Sequence, residues 1–172
     1  TIGGGGTNAG NVISGNGGDG VFIAVNSASL SVATLKANMI GMNAAGTGSV
    51  GNTGNGINIS NASGGTTIIG SAGSGNIIGG NTLSGILVGT ADLLTIQGNT
   101  IGKSGAANAR GILLNTAAGA TVGGIVGGQG NNIGFNTGNG IALGSAATAI
   151  IRGNSLHDNG ALGIDLNNNG VT

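Results

Sequence analysis

Few side chains in this sequence can carry acid–base chemistry. The acids are Asp19, Asp92, Asp158 and Asp165, the bases are Lys36, Lys103, Arg110 and Arg152, and His157 is the one imidazole. Cysteine is absent, which removes thiolate nucleophiles, disulfides and thiolate metal sites. Ser155, His157 and Asp158 have the composition of a nucleophilic triad. Along a strand, however, neighbours alternate faces, so His157 and Asp158 are expected to point apart. No strained nucleophile turn surrounds Ser155 either. Glycoside cleavage needs two carboxyls flanking one bond. Asp19 and Asp92 belong to different repeats, and Asp158 and Asp165 are expected on different strands. Tryptophan and tyrosine, the usual platforms for sugar rings, are absent. No catalytic residue is assigned, and the expectation is a protein that is not an enzyme.

Two fragments carry calcium-like spacing. Ser14 to Val21 approximates the nonapeptide G-G-x-G-x-D-x-U, but that site needs tandem copies. The equivalents of Asp19 in later repeats are Asn55, Ser84, Arg110, Asn139 and Leu162, so Asp19 is read as a turn residue. Asp165-Leu166-Asn167-Asn168-Asn169-Gly170 matches the first half of D-x-[DN]-x-[DN]-G, whose alternating oxygens wrap an ion. Asp165, Asn167 and Asn169 are therefore the candidate ligands of a weak Ca²⁺ site. The competing reading has Asp165 facing solvent in a strand and the Asn run forming a turn. No other cofactor is expected.

The elements that hold these residues are repeats. N-x-[IL]-x-x-[NS] occurs six times, from Asn11, Asn38, Asn76, Asn99, Asn131 and Asn154. Each copy is followed by a glycine-led apolar triplet, as in Gly20-Val21-Phe22-Ile23 and Gly85-Ile86-Leu87-Val88. A third strip, such as Leu94-Thr95-Ile96, precedes several copies. Bare repeats span 23 residues, from Asn76 to Asn99 and from Asn131 to Asn154. Longer ones carry insertions around Gly46–Gly51 and Ser104–Asn108. T-I-G-G at Thr1 recurs loosely at Thr67 and Thr121, which suggests a two-coil unit with long loops on one side. No segment has the helical period, and short Val, Ile and Leu runs bounded by Gly, Asn and Ser are strand signals. The expected fold is all-β: a single right-handed parallel β-helix over residues 1–172, with about six coils and three short strands per coil. Stacking should align the six Asn residues into an amide ladder, and Ile13, Ile40, Ile78, Ile101, Ile133 and Leu156 into an aliphatic one.

Composition narrows the function. Of 172 residues, 42 are glycine and none is proline, which excludes collagen. Only 5% are charged and the net charge is zero, so no electrostatic footprint for nucleic acid exists. No apolar run is long enough for a membrane span. The outward column Phe22, Asn58, Leu87, Leu113, Ala142 and Asp165 is unusually apolar. Phe22, Leu87 and Leu113 are therefore a candidate docking surface, unless loops cover them. Lys36, Gln97 and Arg152 form a second, solvated column. A threonine array for ice or surface binding ranks lowest, because Thr67, Thr95 and Thr121 do not share a register.

The N-x-I-x-x-N and G-I-x-I coils resemble the right-handed parallel β-helix repeats of the pectate-lyase-like superfamily. T-I-G-G…G-N-V-I-S-G-N and I-G-M-N-A-A-G-T…G-N-T-G-N-G-I are similar to repeat arrays of large secreted bacterial and archaeal surface proteins. The resemblance implies the fold and a secreted or cell-surface location. It leaves activity open, since the superfamily spans lyases, hydrolases, phage spikes, adhesins and repeat spacers. Its lyases use clustered acids for calcium and a Lys or Arg as base, a role that would require Asp158, Asp165 and Arg152 to converge. The expected function is a non-enzymatic spacer, adhesin stalk or filament subunit, a segment of a longer repeat protein. Its partners are copies of itself or adjacent coils of the parent chain. The alternative is a carbohydrate-active or carbohydrate-binding β-helix.

Overall fold

The computed structural model describes residues 1–6, 8–25 and 32–169. The chain winds as a right-handed parallel β-helix of six coils, each contributing one strand to each of three faces. The first sheet stacks Val12–Ile13, Met39–Ile40, Ile77–Ile78, Thr100–Ile101, Asn132–Gly134 and Ser155–His157. The second stacks Val21–Val25, the first half of Ile57–Ile69, Ser84–Val88, Arg110–Leu114, Ile141–Leu143 and Ile164–Leu166. The third stacks Ile2–Gly3, Val32–Lys36, the second half of Ile57–Ile69, Ala91–Ile96, Ala120–Gly123 and Ala149–Arg152. Strand Ile57–Ile69 turns the corner without a break, so the second and third faces form one continuous sheet.

The expected ladders are present. Ile40, Ile78, Ile101 and Ile133 stack at the first sheet with no solvent exposure. Full burial of each such side chain contributes about 1.5–3 kcal/mol. Beside them Asn11, Asn38, Asn76, Asn99, Asn131 and Asn154 form the amide ladder, with Nδ2 donating to the next Oδ1 at 2.9, 2.9, 2.9, 3.0 and 2.8 Å. The second hydrogen of the amide reaches the third sheet, as in Asn76 Nδ2 to the Leu35 carbonyl and Asn99 Nδ2 to the Ile69 carbonyl. Neighbouring coils are therefore joined by side chain as well as by backbone, and among the described residues no buried side-chain polar atom lacks a partner.

A second ladder runs down the opposite edge of the first sheet, through Asn16, Asn52, Asn81, Asn108, Asn136 and Asn159, with spacings of 2.8–3.0 Å. Four of these close the recurring hexapeptide. In the second and fourth coils the hexapeptide closes on Asn43 and Ser104, which lie in inserted loops, and the ladder resumes at Asn52 and Asn108. Asn43 instead accepts the Thr47 N–H within its own loop.

The two-coil unit is real, but its long loops alternate between two corners. Odd coils lengthen the corner between the third and first sheets, at 4–6 with 8–10, 71–75 and 124–130. Even coils pass that corner through one residue, Ala37, Gly98 or Gly153, each with positive φ. The second and fourth coils lengthen the next corner instead, at 42–51 and 103–107, where odd coils turn tightly through Gly15, Gly80 and Phe135. Both sets of loops therefore border the first sheet. On the third sheet Thr95 and Thr121 pair directly, but Thr67 pairs with Leu94 and is buried on the inward side, so the three threonines do not share one register.

Candidate functional site

The sixth coil departs from the two-coil pattern. In the first and third coils, the tight-corner glycine donates its N–H to the following inserted loop: Gly15 to the Val50 carbonyl and Gly80 to the Ala106 carbonyl. The equivalent residue of the fifth coil is Phe135, and the sixth coil has no inserted loop. In its place His157 folds back over the fifth coil. A Cβ built on Gly134 would lie 2.7 Å from the imidazole Cε1, so this close approach requires glycine there. The imidazole meets the Phe135 ring edge-on, with centroids 5.3 Å apart and planes at 86°.

A cleft of about 280 Å³ results on the outer face of the first sheet, lined by Ile77, Thr100, Lys103, Asn132, Phe135 and His157. Its rim includes the fourth coil's loop, whose Lys103 Nζ donates to the Gly46 carbonyl at 2.7 Å and ties the two inserted loops together. His157 Nδ1 lies 2.9 Å from Asp158 Oδ2, and Nε2 lies 2.6 Å from Asn132 Oδ1. The charged ring donates to both oxygens. The neutral ring with its proton on Nδ1 pairs with Asn132 through the amide NH₂.

This contact corrects the expectation that His157 and Asp158 point apart. The strand ends at His157, and Asp158 takes φ 51°, which turns its carboxylate back to the ring. The result is an imidazole–carboxylate pair without a nucleophile, because the second ring nitrogen is on Asn132 and not on Ser155. Asp158, Asp165 and Arg152 do not converge: they lie at a corner, on the second sheet and on the third sheet.

Asp165 is not a solvent-facing strand residue. It is 1% exposed, its Oδ2 accepts the Asn139 amide at 2.8 Å, and its Oδ1 accepts the Asn169 N–H at 3.2 Å. Asn167 and Asn168 take positive φ beyond the strand, as a turn requires. Gly170, the last residue of the calcium-like fragment, lies outside the described residues. Among the described residues no three His, Asp or Glu side chains cluster as metal ligands.

Asp19 has a structural task. Its Oδ1 accepts both the N–H and the side-chain amide of Asn55, and its Oδ2 accepts Asn58 Nδ2. Asn55 Oδ1 in turn accepts the Ser84 N–H, so Asp19 starts a short third ladder. Burial pushes its carboxyl pKa up, but the donors of Asn58 and Asn55 outweigh this and hold it below the ordinary value. The Phe22 column has the expected register but uneven exposure. Phe22 is 61% exposed, Leu87 and Leu113 are half-buried, and Ala142 is buried.

Set against models of known families, curated proteins and solved structures, the chain matches none of them. What is defined is the class: a parallel β-solenoid repeat domain with stacked asparagine ladders. No described helix is long and apolar enough to cross a membrane.

Proposed function

We propose that the chain is a non-enzymatic structural module displayed outside the cell, a stiff β-solenoid spacer, stalk or filament subunit that associates end to end. The observation that supports this reading most is that both amide ladders pass through all six coils without interruption. Each interior rung is cross-linked to its neighbours at two corners, which suits a rod that transmits load along its axis. Held between two tethers, the chain should keep its length under small forces and then yield coil by coil. An elastic, gradually lengthening response would refute the reading.

The first-sheet cleft favours the alternative, a carbohydrate-binding or carbohydrate-active β-helix, because it sets an ammonium, an imidazole and an aromatic ring around one hollow. Reducing-end assays and titration with acidic oligosaccharides separate the two readings. Saturable binding lost in Lys103→Ala, or new reducing ends lost in His157→Ala, would replace the structural role.

A further inference from the structure

The outer face of the third sheet lies along the flank of the rod, away from both of its ends. Strand pairing aligns Thr34, Ile68, Thr95, Thr121 and Ile150 in one outward column. Two residues earlier on the first three of these strands, Val32, Thr66 and Leu93 form a second column. The threonines of this face are therefore Thr34, Thr66, Thr95 and Thr121, a set that takes in Thr34 and Thr66 and leaves out the inward Thr67. Every residue of the longer column is β-branched, so its χ1 is stiff. The adjoining Leu35, Ile69, Ile96 and Val122 are packed inside, which keeps the outer side chains from sinking. Val32, Leu93 and Ile150 are 60%, 60% and 54% exposed. None of these outward side chains is charged or aromatic; Lys36 and Arg152 stand one column further on, at the margin. The four threonine hydroxyls have no hydrogen-bond partner among the described residues. Those of Thr116, Thr137 and Thr148, at corners of the coils, bond protein groups instead.

We propose that this face binds ice, with its methyl and hydroxyl groups seated against water already ordered as a crystal. Water over a methyl group is restricted in orientation, and each free hydroxyl can anchor one more molecule by donating or accepting. Here both groups are fixed on a grid of about 4.8 Å along the rod and about 7 Å across it. A layer of water held on such a grid is ordered in two dimensions before it meets the crystal, so little further ordering opposes binding. Five rungs and two columns present roughly 300 Å². A standard protein partner covers about 800 Å², and such a partner would also meet no charge to pair with. A sugar polymer would call for an aromatic platform, yet both phenylalanines lie elsewhere, Phe22 on the second sheet and Phe135 at a corner. Crystalline water needs neither. The inference adds a binding activity to the structural-module reading and does not rest on it.

The test uses the whole chain in two assays: coarsening of ice grains held just below melting, and partition between slowly growing ice and the remaining liquid. The wild type should suppress coarsening and collect in the ice. Thr95→Lys and Thr121→Lys each set a flexible cation in the array, and each should need about tenfold more protein for the same suppression. Phe22→Lys, on the second sheet, should match the wild type. Melting temperatures are measured for all variants, and Ile150→Lys repeats the test if either lysine lowers them. A wild type that leaves grains coarsening as in buffer and stays in the liquid overturns the proposal. So do face variants as active as the wild type, or an equal loss in Phe22→Lys.

Discussion

Asn99 is the most instructive residue to remove. It is 1% exposed, and its Oδ1 accepts both the N–H and the Nδ2 of Asn76 at 2.9 Å. Its own Nδ2 donates to Asn131 Oδ1 and to the Ile69 carbonyl. Asn99→Ala therefore strands two buried donors on Asn76, and Ile69 loses its side-chain donor. At about 1–3 kcal/mol for each stranded buried donor, the expected loss is about 2–6 kcal/mol. For a chain of this size, about 2–4 °C per kcal/mol places the melting temperature roughly 5–20 °C lower. Asn154 supplies the needed contrast. It accepts the same pair of donors from Asn131, but at a half-buried position where water can take its place. Asn154→Ala should cost about 1 kcal/mol or less. Urea melts followed by circular dichroism measure both variants, with the slope checked for loss of two-state behaviour in a repeat fold. Equal costs at the two positions, or a cost below about 1 kcal/mol at Asn99, would refute the claim that the ladder holds the coils together.

Four further outcomes are expected. Ile78→Asp places a carboxylate in the fully buried column and should cost about 4 kcal/mol or more, while Thr95→Asp on the outer face should be nearly silent; equal thermal shifts would mean the inward and outward phases are misassigned. Ala37 holds φ 56° where the equivalent corners are glycine, so Ala37→Gly should stabilise by about 0.5–1 kcal/mol in the same melts, and a loss would show that its methyl group packs. Because the Asp19 pKa is lowered on folding, its contribution is present above the ordinary carboxylate pKa of about 3.9 and is lost as pH falls through the depressed folded value. Acid melts of wild type and Asp19→Asn should therefore converge below about pH 4, and a constant gap would exclude this linkage. Both carboxylate oxygens of Asp165 already accept hydrogen bonds, from the Asn139 amide and the Asn169 N–H, so millimolar calcium should leave the melting temperature unchanged; a rise removed by Asp165→Asn would establish a metal site at Asp165, Asn167 and Asn169.

The periodic part of this protein was readable because each coil repeats the same local choice. An Asn at the corner and an inward Ile two residues later recur whatever lies between the copies, so the first ladder and the Ile column could be placed by pattern alone. The second ladder was only partly visible. In the second and fourth coils insertions separate its Asn from the hexapeptide, and Asn43 and Ser104 stand where the pattern seeks it. The His157–Asp158 pair was missed because strand alternation was extended one residue past the strand, into a left-handed turn. Burial of Asp165 was illegible for a different reason: it depends on Asn139, one coil away, and on the backbone of a turn that follows. Local sequence sets the faces of a strand, whereas what covers them is decided between coils.

The one-way sense of the amide ladders gives the rod an electrical direction. Ten side-chain amides, five in each ladder, point their nitrogen toward the sixth coil and their oxygen toward the first. Each amide carries a dipole of about 3.5 D when it resembles a peptide unit, and aligned dipoles add as they do along an α-helix. The two ladders therefore contribute a permanent amide dipole along the rod axis, its positive end toward the sixth coil and its negative end toward the first.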